Sequence, residues 1–166
     1  MKASKFILFL LLAVCAFSDI FSQPLAMDTI RNQEILLGEV TREHLEDSIW
    51  FIENYNHEKI LEETIRKISE SPKNIDIDVY FGSWCEDSQK WLPVFVNILD
   101  HTDLKGSVRF VGLPRAKEER EKMAPGIGIE KVPTFIFKLG GEEIGRIIEN
   151  PETKLSSDIL SILQQK

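Results

Sequence analysis

Between residues 75 and 111 the apolar pattern changes period twice, and this restricts the possible architectures more than any other feature of the chain. "IDIDVYFG" (75–82) alternates and is rich in β-branched and aromatic residues, which predicts a strand. Residues 86–100 set Trp91, Leu92, Phe95, Val96 and Leu99 at helical spacing, with Pro93 placed to kink the helix. "VRFV" (108–111) returns to strand character. A strand–helix–strand unit of this length predicts parallel pairing through a right-handed crossover.

The flanking segments extend that unit. "TFIFKLGGEEIGRII" (134–148) reads as a hairpin turning at Gly140-Gly141. Asn150-Pro151 then reads as the cap and first turn of a last helix, with Leu155, Ile159, Ile162 and Leu163 facing inward. "RAKEEREKMA" (115–124) predicts a solvated helical turn or two. Upstream, Thr41 is a good N-cap for a helix carrying Leu45, Ile49 and Ile52. A second helix is expected after Asn56, with Leu61, Ile65 and Ile68 on one face, ending by Ser71-Pro72. Residues 23–40 read as irregular, apart from a short strand at Ile35-Leu36-Leu37. The expected fold class is α/β: a central mixed sheet flanked by helices on both faces, with an N-terminal helical extension. The expected organisation is a two-helix extension over residues 23–74 and a core over residues 75–166, with 41–74 packed on that core as one domain.

Composition excludes several functions. The chain is 43% hydrophobic and 28% charged, ordinary for one soluble domain. Its net charge of −7, with basic residues scattered, argues against nucleic-acid binding. No phosphate-binding loop or hydrolase serine elbow occurs. His44, His57 and His101 fall at no ligand spacing, so no metal is expected, and no other cofactor. Residues 1–22 differ from the rest: Lys2 and Lys5 precede an unbroken apolar run over 6–17, and small or polar residues lead to Ser22-Gln23. This predicts a secretory signal peptide and no stable membrane span after processing. Leu12-Ala13-Val14-Cys15 offers an alternative, a lipid anchor through Cys15.

After cleavage Cys85 is the one thiol left, and an unpaired thiol in an oxidising compartment requires an explanation. Trp84-Cys85 lies at a strand end just before a helix, Pro93 follows eight residues later, and Val132-Pro133-Thr134 precedes the hairpin. Together, in this order and spacing, these residues resemble the thioredoxin family over residues 75–165. More narrowly, "FGSWCEDSQKWLPVFVNILD" with "IEKVPTFIF" resembles an exported bacterial group with a W-C-x-D-S motif, which implies the bacterial periplasm. The resemblance implies that Cys85 is the attacking sulfur, that Pro133 is cis and lies against it, and that Trp84, Val132, Pro133 and Thr134 contact substrate.

Two departures from the family shape the expected chemistry. Where disulfide-exchanging members carry a second cysteine, this chain has Ser88, and where they bury an aspartate it has Val79. A helix N-terminus favours the thiolate, whereas Glu86 and Asp87 oppose it. Cys85 can therefore attack a disulfide but needs another thiol to finish, with Ser88 available to donate a hydrogen bond to the sulfur. The expected function is monothiol exchange with a thiol- or disulfide-bearing protein or a small thiol. The alternative is a redox-inactive peptide-binding module using Trp84 and backbone pairing at Thr134.

Overall fold

The structure is a computed structural model that describes residues 24–71, 74–104 and 106–165. The expected signal peptide, and Cys15 with it, lie outside the described residues.

The central strand β4 (Ile75–Phe81) forms as its composition dictates. Ile75, Ile77, Val79 and Phe81 all point to one face and are fully buried. Helix α4 (Glu86–Asp100) follows, and its crossover lays β5 (Val108–Gly112) parallel to β4. On the other flank β6 (Thr134–Leu139) pairs antiparallel with β4, and β7 (Glu142–Ile148) pairs antiparallel with β6. Gly140 and Gly141 both take positive φ in the turn, the backbone a two-residue hairpin requires.

The N-terminal region departs from expectation. Residues 25–36 form a hairpin of β1 (Leu25–Asp28) and β2 (Gln33–Leu36) instead of irregular chain. Asp28 builds its turn by accepting the Ile30 amide on its carboxylate and the Asn32 amide on its carbonyl. Strand β3 (Gly38–Val40) then pairs antiparallel with β5 and completes a five-stranded sheet ordered β3-β5-β4-β6-β7.

Three short helices, where two were expected, precede β4: α1 (Arg42–Glu46), α2 (Ile49–Asn54) and α3 (Glu62–Ser69). Thr41 caps α1 as predicted, but the chain breaks at Asp47-Ser48 and the phase shifts. Leu45 and Phe51 are therefore buried, while Ile49 and Ile52 are 73% and 69% exposed. The last helix, α6 (Leu155–Gln164), starts later than Asn150-Pro151 predicts, because its capping comes from elsewhere. Glu58 accepts the Leu155 and Ser156 amides, and Asp158 accepts the Glu152 amide and the Thr153 hydroxyl. Asn150 instead accepts the Trp91 indole N–H at 2.8 Å.

Helices α2, α3, α4 and α6 pack together over one face of the sheet. There Phe51, Phe95 and Ile159 join Val79, Phe81, Phe135 and Phe137 in the main core. The opposite face is covered more sparingly, by α5 (Lys117–Met123) and the chain after it. Ala124, Ile129 and Val132 close over Tyr80, Val111 and Ile136. Elsewhere on that face Asp78 sits between Arg109 at 2.9 Å and Lys138 at 2.5 Å. Burial pushes its carboxyl up, but these two cations outweigh it and hold the group below the ordinary aspartate range.

Candidate active site

Strand β4 ends in "GSWC", and Cys85 is the N-cap of α4, with φ −100° and ψ 125°. A cysteine there stands at the mouth of the helix, over its unsatisfied amide groups. Cys85 is unpaired and half-buried, and its Sγ donates to the Val132 carbonyl at 3.3 Å. The Val132-Pro133 peptide bond is cis. The turn thus meets the thiol through the Val132 carbonyl, and the Pro133 carbonyl accepts the Glu149 amide at 2.7 Å. The amide of Val132 makes no hydrogen bond among the described residues.

Three other predicted site residues have definite positions. Ser88 is fully buried, and its Oγ accepts the Gly82 amide at 3.1 Å. The expected hydrogen bond from Ser88 to the sulfur is not formed; the hydroxyl lies inward against the end of β4. Thr134 is also buried, and its strand position is paired with Tyr80 on one side and Ile148 on the other. Its backbone therefore cannot receive a peptide as the sequence suggested. Its hydroxyl donates to the Lys131 carbonyl at 2.7 Å and secures the turn. Trp84 is half-buried and donates its indole N–H to the Leu113 carbonyl at 2.7 Å. Gly82 makes room for this ring: a Cβ there would lie 2.6 Å from an indole carbon.

Sequence reasoning missed the N-terminal contribution to this site. The Leu36 amide donates to Ser83 Oγ at 2.9 Å, joining β2 to the residue two before the thiol. Arg115 lies over the Trp84 ring, 4.6 Å from its centroid, and its Nε donates to the buried Asp28 carboxylate at 2.6 Å. Burial opposes ionisation of Asp28, but the Ile30 amide and Arg115 prevail and lower its pKa. The only trace in the sequence is local: "DTIRN" (28–32) carries aspartate and asparagine at turn positions. Among the described residues no group of three His, Cys, Asp or Glu side chains is arranged to hold a metal ion, and no helix is long and apolar enough to cross a membrane.

A mixed five-stranded sheet, a crossover helix capped by cysteine and a proline turn beside the sulfur define a protein of the thioredoxin-fold class. A family model described as thioredoxin matches residues 39–156, and the chain belongs to that family. The thioredoxin of Malassezia sympodialis is 28% identical over 94 residues, which span 57% of this chain and 86% of that protein. Two solved structures share the fold. A protein of unknown function from Pseudomonas aeruginosa has a TM-score of 0.60 at 13% identity, covering 77% of this chain and 93% of its own. An HIV epitope scaffold has a TM-score of 0.59 at 12% identity, covering 78% and 94%.

Proposed function

We propose that this chain is an exported, monothiol member of its family that performs thiol–disulfide exchange through Cys85, in the manner of the bacterial W-C-x-D-S group. The observation that carries the reading is the site of Cys85: unpaired, half-exposed, at the N-cap of α4 and against the Val132 carbonyl. The leader-like residues 1–22 support export to an oxidising compartment such as the periplasm.

In the exchange, the Cys85 thiolate attacks one sulfur of a client disulfide and forms a new S–S bond to it. The client's second sulfur leaves as a thiolate and takes up a proton. An outside thiolate, the client's own or a small thiol's, then attacks the mixed disulfide and returns Cys85 as thiolate. No net electron change falls on this protein across the cycle. With a buried hydroxyl at position 88 and no other cysteine among the described residues, no neighbouring sulfur completes the second step, so the mixed disulfide persists until a thiol arrives. An extended client segment would pair with the open amide of Val132, beside the sulfur.

A second reading rests on Val79 and Ser88, which replace the proton-handling acid and the second sulfur of the disulfide-exchanging members. In that reading the turn binds peptide without turnover.

The test incubates the purified protein with a small disulfide, then follows the mass of the Cys85 peptide before and after added thiol. An adduct at Cys85 that free thiol removes, and that Cys85→Ala lacks, supports exchange. A sulfur that stays unmodified while Cys85→Ala still binds clients would favour the binding module.

A further inference from the structure

A cleft of about 450 Å³ opens beside the thiol motif, between the N-terminal hairpin and the α1–α2 corner. Its volume is within the range of small-ligand and side-chain sites. Leu25 and Trp50 supply apolar lining, Glu34 and Asp47 supply carboxylates, and Ser83 and Gln89, which flank Cys85 in sequence, complete the wall. Gln89 ties that wall to the backbone of the thiol motif: its main-chain amide donates to the Cys85 carbonyl at 2.9 Å, and its side chain donates to the Ser83 carbonyl at 2.7 Å.

The charge of the lining is one-sided. Glu34 and Asp47 are both exposed and form no salt bridge among the described residues, and neither lysine nor arginine lines the cleft. His44 also lines it, its ring engaged with the Thr41 hydroxyl at 2.9 Å. On the same elements, Leu25, Met27 and Ile30 of the hairpin and Ile49 of α2 leave large apolar side chains in solvent, and Leu25 also lines the cleft. Two carboxylates that form no salt bridge among the described residues, with apolar side chains in the same lining, complement a cationic side chain with an apolar neighbour.

We propose that this cleft is a client-docking subsite that receives a lysine or arginine flanked by apolar residues, from an extended protein segment whose disulfide faces Cys85. The proposal rests on the exchange reading for its client, but the cleft's binding can be measured without any sulfur chemistry. The docking subsite is built largely from residues 25–50, so the N-terminal hairpin would select the clients on which the thiol acts.

The test uses the full chain carrying Cys85→Ala and two short, labelled, cysteine-free peptides, identical except that two arginines in one are glutamates in the other. Fluorescence anisotropy should show the arginine peptide binding roughly tenfold more tightly than its twin, with the difference shrinking as salt rises. The double change Glu34→Gln with Asp47→Asn should weaken the arginine peptide roughly fivefold without moving the melting temperature. Glu118→Gln with Glu119→Gln, on exposed α5, should leave binding unchanged, which separates the cleft from the general negative charge. Equal binding of the two peptides, or an equal loss from the α5 pair, overturns the proposal. Reaction of the unsubstituted chain with a small neutral disulfide reports on Cys85 separately. Exchange without arginine preference removes only the cleft, and arginine preference without exchange removes only the thiol chemistry.

Discussion

The guanidinium of Arg115 covers the indole of Trp84, 4.6 Å from the ring centroid, and ties that ring to Asp28 of the N-terminal hairpin. Two residues far apart in sequence thus hold the side chain that precedes the thiol. A cation over a tryptophan contributes about 0.5–2 kcal/mol. Arg115→Ala should lower unfolding stability by at least that amount, since Asp28 also loses its partner. Tryptophan emission should shift to the red, and Cys85 should alkylate faster as the indole loosens. Arg115→Lys should recover only part of the loss, because an ammonium cannot stack. Unchanged emission and alkylation in Arg115→Ala would show that the contact does not position Trp84.

Ser88 occupies the position of a second sulfur but acts on the backbone. Its Oγ accepts the Gly82 amide in a fully buried setting, and removing a buried partner costs about 1–3 kcal/mol. Ser88→Ala should lower stability by that range in a denaturant titration, while the alkylation rate of Cys85 in the native protein stays near that of the parent. A stable variant with a slowed thiol would reverse this assignment.

Gly82 is needed for space. A methyl group there would meet three atoms of the Trp84 ring, all within 2.9 Å, so the indole must move. Gly82→Ala should break the Trp84–Leu113 hydrogen bond and destabilise by about 1–3 kcal/mol, as overpacking does. Near-ultraviolet circular dichroism would report the displaced ring, and a spectrum matching the parent would refute the steric argument.

Stability should fall at both extremes of pH, for opposite reasons. Asp28, Asp78 and Asp100 all titrate below the ordinary aspartate range in the folded chain. For Asp100 the Arg42 hydrogen bond is the main cause, opposed by burial and assisted by the Tyr55 hydroxyl. The unfolded chain therefore binds protons first as pH drops, and the contribution is present above about pH 4 and lost below it. Burial, with the Asp100 carboxylate accepting its hydroxyl, pushes Tyr55 up from 10.0 to about 12. Its folded value is the higher one, so its contribution is present below pH 10 and lost as pH rises towards 12. Denaturation midpoints measured across pH should show both slopes, with Tyr55→Phe flattening the alkaline one. An unchanged alkaline slope in that variant would remove Tyr55 as its source.

The strand–helix–strand unit was legible because its period changes are long and bounded. β4, α4, β5 and the β6–β7 hairpin match the segments predicted. The short helices were harder. Ile49 and Ile52 have the right spacing for a buried face, yet the break at Ser48 rotates Phe51 inward in their place. The start of α6 was misplaced because its amide partner, Glu58, lies 97 positions upstream of Leu155. At the candidate site, Cys85, Trp84 and Val132-Pro133 could be found from local motifs. Asp28 and Leu36 could not, since their ties to Arg115 and Ser83 span 87 and 47 positions and leave no periodic trace.

The borders of the five-stranded sheet bear on how a client can be held. On one side β3 is only three residues long, too short to template a further strand. On the other, β7 carries Glu142, Glu143 and Arg146, and its ladder to β6 slips register at Phe137/Lys138. An incoming segment thus finds poor purchase along either margin. Under the proposed exchange, the turn around Val132, whose carbonyl accepts from the Cys85 thiol at 3.3 Å, would then be the main-chain contact that keeps a client within reach of the sulfur.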